Sequence, residues 1–180
     1  METTSIRLSG IIEASSVDGP GLRFVIFTQG CNHRCKGCHN PETWNYSGGY
    51  SLSIQELGDR IISKRWCKKI TFSGGEPLDQ ASPCLALLNY LKDHNPTIRY
   101  HSMVFTGYLW EELIKMKDDS ITQLLSSIDL LVDGPFIETQ KSLALMYRGS
   151  KNQRIIESRD SISTGKLILS DIMKDDLVSI

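Results

Sequence analysis

Short runs of β-branched and aromatic residues alternate with helical patterns along this chain, and that alternation limits it to an α/β fold built on parallel strands. The strand-like runs cover residues 23–29 (RFVIFTQ), 69–73 (KITFS), 102–106 (SMVFT), 128–132 (IDLLV) and 154–156. A first helix is expected from Ser53, which forms a capping box with Glu56, to about Trp66, with Ile54, Leu57, Ile61 and Ile62 at helical spacing. A second is expected to have Ser82 as N-cap, Pro83 in its first position, and Leu85, Leu88 and Leu91 on one stripe, and to end before Pro96. A third runs from Trp110 through Met116, with a break at Asp118 and Asp119 before residues 121–125. Strand, helix and strand in succession imply right-handed crossovers, and ligands of such sheets gather beyond the carboxyl ends of the strands.

Four unusual loops fall at that rim. The 23–29 run leads into Cys31, Cys35 and Cys38; 69–73 leads into Gly74-Gly75-Glu76-Pro77; 102–106 into Gly107-Tyr108; and 128–132 into Asp133-Gly134-Pro135.

The 180 residues amount to one domain, 1–180, with no repeat or linker, and 20 basic against 21 acidic residues leave a net charge of −1. That balance argues against a nucleic-acid binder. No apolar run approaches the ~20 residues of a membrane helix, and residues 1–16, with Glu2 early, lack the apolar core of a secretory leader. A cytoplasmic location is expected. The five cysteines then belong to a reducing compartment, where clustered thiols bind metal.

Three thiolates on one short loop diverge, which suits three corners of a cubane iron–sulfur cluster. A structural zinc ion wants four ligands about one point, usually as two separated pairs, and here the second pair is missing. Cys67 and Cys84 fall at a helix end and inside a helix, where a buried small hydrophobe is the commoner role. A cubane with three protein thiolates leaves one iron open to a chelating ligand. The alternatives still standing are a zinc protein and a ferredoxin-like electron-transfer module without catalysis.

Cys-x3-Cys-x2-Cys after one strand and Gly-Gly-Glu-Pro after the next resembles the radical S-adenosylmethionine superfamily. More narrowly, DGPGLRFVIFTQGC (residues 18–31) and CHNPETW (residues 38–44) resemble the activating enzymes of glycyl-radical enzymes. DGPF (residues 133–136) and RGSKNQR, from Arg148 to Arg154, are most similar to those members that act on anaerobic ribonucleoside-triphosphate reductase. The chain departs from the superfamily in having Gly37, where an aromatic residue often precedes the last cysteine.

The resemblance implies a partial parallel (β/α) barrel, since the chain holds four or five βα units of ~35 residues against the ~250 residues of a full barrel. It implies a 4Fe-4S cluster on Cys31, Cys35 and Cys38 and S-adenosylmethionine at the open iron. Gly74, Gly75 and Glu76 would receive the methionyl end, Gly37, Cys38 and His39 the nucleoside side, and Asp133 a further hydrogen bond. Reduction would release a 5′-deoxyadenosyl radical that takes hydrogen from a glycine of the partner, the large subunit of the reductase. An activase for another glycyl-radical enzyme, such as pyruvate formate-lyase, and a small-molecule radical enzyme, such as a deazapurine-forming synthase, are the rivals. His33 and His39 read as packing or hydrogen-bonding groups, the loop at Asp18 as a border of the site, and Arg23 as an anion-pairing group. Lys64, Arg65, Lys68 and Lys69 offer a docking patch for an acidic flavodoxin- or ferredoxin-type electron donor.

Overall fold

A computed structural model describes residues 4–175, so Glu2 and the two ends of the 1–180 domain lie outside the described residues. The strands are β1 (Ser5–Ser15), β2 (Arg23–Thr28), β3 (Tyr50–Ser53), β4 (Lys69–Gly74), β5 (His101–Phe105), β6 (Leu130–Asp133) and β7 (Arg154–Glu157). They form one sheet in the order β3-β1-β2-β4-β5-β6-β7. Its centre, β2 to β6, is parallel and advances in chain order, as the wall of a barrel does. β3 and β7 form the two edges, so the barrel is partial and open on one side.

The edges depart from the all-parallel expectation. β1 runs antiparallel to both β2 and β3, and β7 runs antiparallel to β6. The reason at β7 is the connection: residues 134–153 hold a short 3-10 turn, Glu138–Gln140, and no crossover helix. Without a helix to carry the chain back along the sheet, the next strand returns beside its neighbour in the opposite sense.

The helices are α1 (Ile54–Ser63), α2 (Ala81–His94), α3 (Trp110–Met116), α4 (Asp119–Ser127) and α5 (Ser158–Thr164). Ser53 caps α1 through the expected box, accepting the Glu56 amide at 3.1 Å while Glu56 Oε2 accepts the Ser53 amide at 2.9 Å. α1 ends at Ser63, three residues before Trp66. α2 begins two residues earlier than expected, with Gln80 ahead of it, and buries Ala81, Cys84, Leu87 and Leu91. Pro83 is still accommodated, because the amides of a first helical turn have no intrahelical acceptor. Asp118 caps α4, accepting the amides of Ser120 and Ile121 at 2.8 and 3.0 Å.

Alternation sorts the strand side chains onto two faces. Phe24 and Ile26 of β2, Ile70 and Phe72 of β4, Val104, Leu131 and Ile156 join Leu57, Ile61, Leu87, Leu91, Leu113 and Leu124 of the helices in the main core. Each such side chain contributes about 1.5–3 kcal/mol by leaving water, so this face holds the helices to the sheet. On the concave face Met103, Leu130, Val132 and Ile155 form a smaller cluster with Phe105, Tyr147, Ile172 and Met173. Among the described residues, no helix is long and apolar enough to cross a membrane.

Candidate active site

Two residues beyond the end of β2, Gly30 takes a positive φ (100°), and the chain then makes a tight loop. Two more left-handed residues shape it, Arg34 (φ 48°) and Gly37 (φ 74°). A non-glycine residue in that region is uncommon, so the loop holds Arg34 there at some cost. Cys31 is buried, Cys35 and Cys38 are half-buried, and none of the five cysteines forms a disulfide. Burial pushes the Cys31 thiol up, and the backbone amides of His33 and Arg34 oppose that shift. The Asn40 amide lies 3.4 Å from Cys38 Sγ.

The glycines of the second loop allow it to lie directly under the first. The Gly75 amide donates to Thr28 O at 2.8 Å and the Glu76 amide to Gly30 O at 2.7 Å. A Cβ on Gly75 would collide with the Gly30 carbonyl, and one on Gly74 (φ 93°) would stand 2.7 Å from Phe27 Cα. Only glycine permits this approach.

The two loops enclose a cavity of about 400 Å³ at the carboxyl end of the parallel strands. Cys31, Cys35, Cys38, His39, Ser73, Gly74, Gly75, Thr106, Gly107 and Gly134 border it. The size falls within the range of cofactor sites. All four rim loops singled out from the sequence therefore meet at one place, and Asp18 of the β1–β2 loop also borders it.

Two expected contact residues stand at one remove. Glu76 is only 1% exposed; its Oε1 accepts the Leu78 amide at 2.9 Å and its Oε2 the Gly107 amide at 2.9 Å. His33 Nε2 lies 2.8 Å from the same Oε2, and this bond raises the His33 pKa above its ordinary value. Asp133, fully buried, accepts the Trp110 amide at the start of α3 at 2.8 Å and forms a two-pronged pair with Arg154, whose Nε donates to Oδ1 at 3.0 Å. Gly37 backs onto Glu138: a Cβ there would stand 2.9 Å from Glu138 Oε1.

Other groups at the cavity carry only a weak signal in the sequence. Trp44 Nε1 is buried beside it without a hydrogen-bond partner. Phe136 stacks at a tilt on His39 with ring centroids 5.1 Å apart, and both border the cavity. Gly149 and Gln153 bring the 148–154 segment to the wall, where Gln153 accepts the Gly149 and Ser150 amides at 2.8 and 3.2 Å and donates to Gly134 O at 3.0 Å. That segment is thus a built wall and not a solvated turn.

Arg23 is fully buried, and its guanidinium donates to Thr71 Oγ1 and Ile70 O, both at 2.6 Å, and to Pro20 O at 3.2 Å. Burial lowers its pKa to about 10. Its donors hold the β1–β2 loop to the sheet, in place of the expected pairing with an anion.

Cys67 and Cys84 are buried away from the cavity, and burial raises both thiols. The basic cluster lies at the other end of the sheet, reaching only to Lys69 at the start of β4, and Lys64 there pairs with Glu13 at 2.7 Å. β4 is six residues long, so about 17–20 Å of strand separates the cluster from the cysteine loop.

The donor set fits an iron–sulfur cube. Three unlinked thiols open onto one cavity. Among the described residues no three His, Cys, Asp or Glu side chains gather tightly about a single point. A glycine-lined wall and the unpartnered indole N–H leave polar backbone and a donor for a nucleotide-sized ligand.

Comparison with known proteins agrees. Residues 17–156 match the 4Fe-4S single cluster domain family. The anaerobic ribonucleoside-triphosphate reductase-activating protein of Vibrio cholerae is 41% identical over 148 residues, 77% of this chain and 90% of that protein. The protein of that name from Enterobacteria phage T4 is 30% identical over 151 residues, 81% of this chain and 90% of its own length. A pyruvate formate-lyase-activating enzyme from Clostridium pasteurianum is 38% identical over 121 residues, 62% of this chain and 49% of that enzyme. With a three-thiol loop, a glycine-lined cofactor wall and identity over most of its length, this chain belongs to the family of anaerobic ribonucleoside-triphosphate reductase-activating proteins, built on a 4Fe-4S single cluster domain.

Proposed function

We propose that the chain is a radical S-adenosylmethionine activase that installs the glycyl radical in anaerobic ribonucleoside-triphosphate reductase, working as one domain in the cytoplasm. One observation carries the reading: the three rim thiols and the Ser73–Gly75 backbone border the same cavity. Cys31, Cys35 and Cys38 would hold the 4Fe-4S cluster, with one iron left for S-adenosylmethionine. When bound, the cluster would supply the single electron that reductive cleavage of that cofactor needs, the chemistry from which a glycyl radical on the reductase would follow.

The chain's own residues prepare this. The Asn40 amide directs a hydrogen bond at Cys38 Sγ, which stabilises the thiolate that iron needs. Main-chain oxygens at Gly74 and Gly75 receive the methionyl ammonium, and the His39 and Phe136 rings with the Gly37–Cys38 backbone form the nucleoside side. Glu76 and Asp133 act from behind, fixing the loops that make these contacts. The open side between β3 and β7 admits the glycine-bearing segment of a large protein. A flavodoxin- or ferredoxin-type donor docks on the cysteine loop, where Arg34 and Lys36 are exposed, because electron transfer weakens steeply with distance and the Lys64–Lys69 cluster is a strand length away. Five thiols without a disulfide suit a reducing cytoplasm.

The test is anaerobic incubation of the reduced, cluster-loaded protein and S-adenosylmethionine with the reductase and, separately, with pyruvate formate-lyase. A glycyl doublet in electron paramagnetic resonance on the reductase alone is expected. A doublet on the lyase alone transfers the assignment to the sister activity, and cluster reduction without a radical on either leaves an electron-transfer module.

A further inference from the structure

Glu76, buried behind the rim, is engaged on both carboxylate oxygens. Leu78, Gly107 and His33 take its two oxygens, so three separate segments meet on one carboxylate. His33 is fixed on its other sides as well. Gly107 packs so closely on the imidazole that a Cβ there would strike the ring, and the Tyr108 ring meets it edge-on with centroids 4.5 Å apart. Tyr108 in turn donates to Asp79 Oδ1 at 3.2 Å, and Asp79 also accepts from Tyr46, whose ring covers Gly30 at the start of the cysteine loop. The contacts close a ring around that loop: Gly30, Tyr46, Asp79, Tyr108, His33, Glu76 and back to Gly30 through the Glu76 amide.

We propose that His33, at the cavity wall, is a positioning residue: by binding Glu76 it holds the cysteine loop in register with the Gly74–Gly75 wall, and so sets the affinity for S-adenosylmethionine. The inference rests on the cofactor reading above. The three thiols can take up a cluster without the His33 side chain, because the bond His33 makes to Cys31 comes from its backbone amide and survives substitution. What His33 adds is the relative placement of two walls that share one ligand. Partners of this kind, one shell behind the ligands, typically change affinity 10- to 100-fold when removed.

The experiment uses the full chain, reconstituted anaerobically with iron and sulfide, as wild type and as His33→Ala, His33→Asn and His33→Gln. Iron and sulfide per chain are measured first, and then the reduced cluster's electron paramagnetic resonance spectrum is titrated with S-adenosylmethionine. Ala and Asn, which do not reach Glu76, are expected to keep the wild-type iron content and to raise the titration midpoint at least about tenfold. Gln places an amide N–H near the Nε2 position and is expected to restore the midpoint to within about threefold. If Ala does not retain iron, the Asn and Gln pair carries the comparison. Equal midpoints for Asn, Gln and wild type overturn the proposal, as does a Gln variant as impaired as Asn. Failure of the cofactor reading looks different: the wild-type spectrum itself would then ignore S-adenosylmethionine.

Discussion

The Glu76 amide donates to the Gly30 carbonyl at 2.7 Å, and this bond extends the parallel pairing of β2 and β4 beyond the strands. The loop with the thiols and the loop with the glycines are therefore two layers of one structure. Their spacing is fixed by backbone contact, which is why small changes there act on the whole site.

Alanine at Cys31, Cys35 or Cys38 is expected to abolish cluster retention, measured as iron and sulfide per chain after anaerobic reconstitution. Alanine at Cys67 or Cys84 should leave iron content unchanged and lower stability by about 1–2 kcal/mol in denaturant unfolding, as a lost buried side chain does. Iron loss in either of the latter would contradict the ligand assignment.

Gly75→Ala puts a methyl group into the Gly30 carbonyl and should displace the cysteine loop. We expect S-adenosylmethionine binding, followed by equilibrium dialysis, to weaken at least about tenfold, in line with the sensitivity of such sites to misplacement. Gly10→Ala, on β1 with nothing within 4 Å of the new methyl, is the tolerated control.

His101 lies beside the buried Arg23, and burial holds its pKa below the ordinary 6.5. The unfolded chain therefore takes up this proton first as pH falls, so the His101 contribution to stability is intact above about pH 6.5 and declines below it. His33, raised by Glu76, runs the other way: its contribution is full below pH 6.5 and fades as pH rises through its folded value. Because the two oppose each other, the observable is a difference. The urea midpoint of wild type minus that of His101→Gln should fall between pH 7 and pH 5, and a flat difference would refute the assignment.

Reversing charge at Arg34 and Lys36 should slow cluster reduction by an acidic flavodoxin and flatten its dependence on salt in stopped-flow absorbance. Reversal at Lys64, Arg65 and Lys68 should change neither. The opposite pattern would return the docking patch to the far end of the sheet.

Much of the site was legible because it is written in local chemistry. Three cysteines in eight residues, glycines directly after a strand and the Ser53–Glu56 box each fix their own surroundings. The edges of the sheet were not. β3 has four residues and β1 carries Gly10 and a register shift beside it, so neither shows a clean run of strand formers. The core face of α2 is rotated from the expected leucine stripe onto Cys84 and Leu87, because the sheet beneath, and not helical period alone, selects the buried face. The bond between His33 and Glu76 spans 43 residues, and that between Arg154 and Asp133 spans 21. Pairs at such separations leave no periodic trace, so a carboxylate read as a cofactor contact and one that braces a loop look alike in sequence.

Mössbauer spectroscopy of the ⁵⁷Fe-reconstituted protein, with and without S-adenosylmethionine, bears most directly on the vacant iron. The spectrum should resolve four irons of which one alone changes its parameters when the cofactor is added. Four irons indifferent to the cofactor, or a chain that takes up no iron, would contradict the assignment of Cys31, Cys35 and Cys38 as the complete protein ligand set.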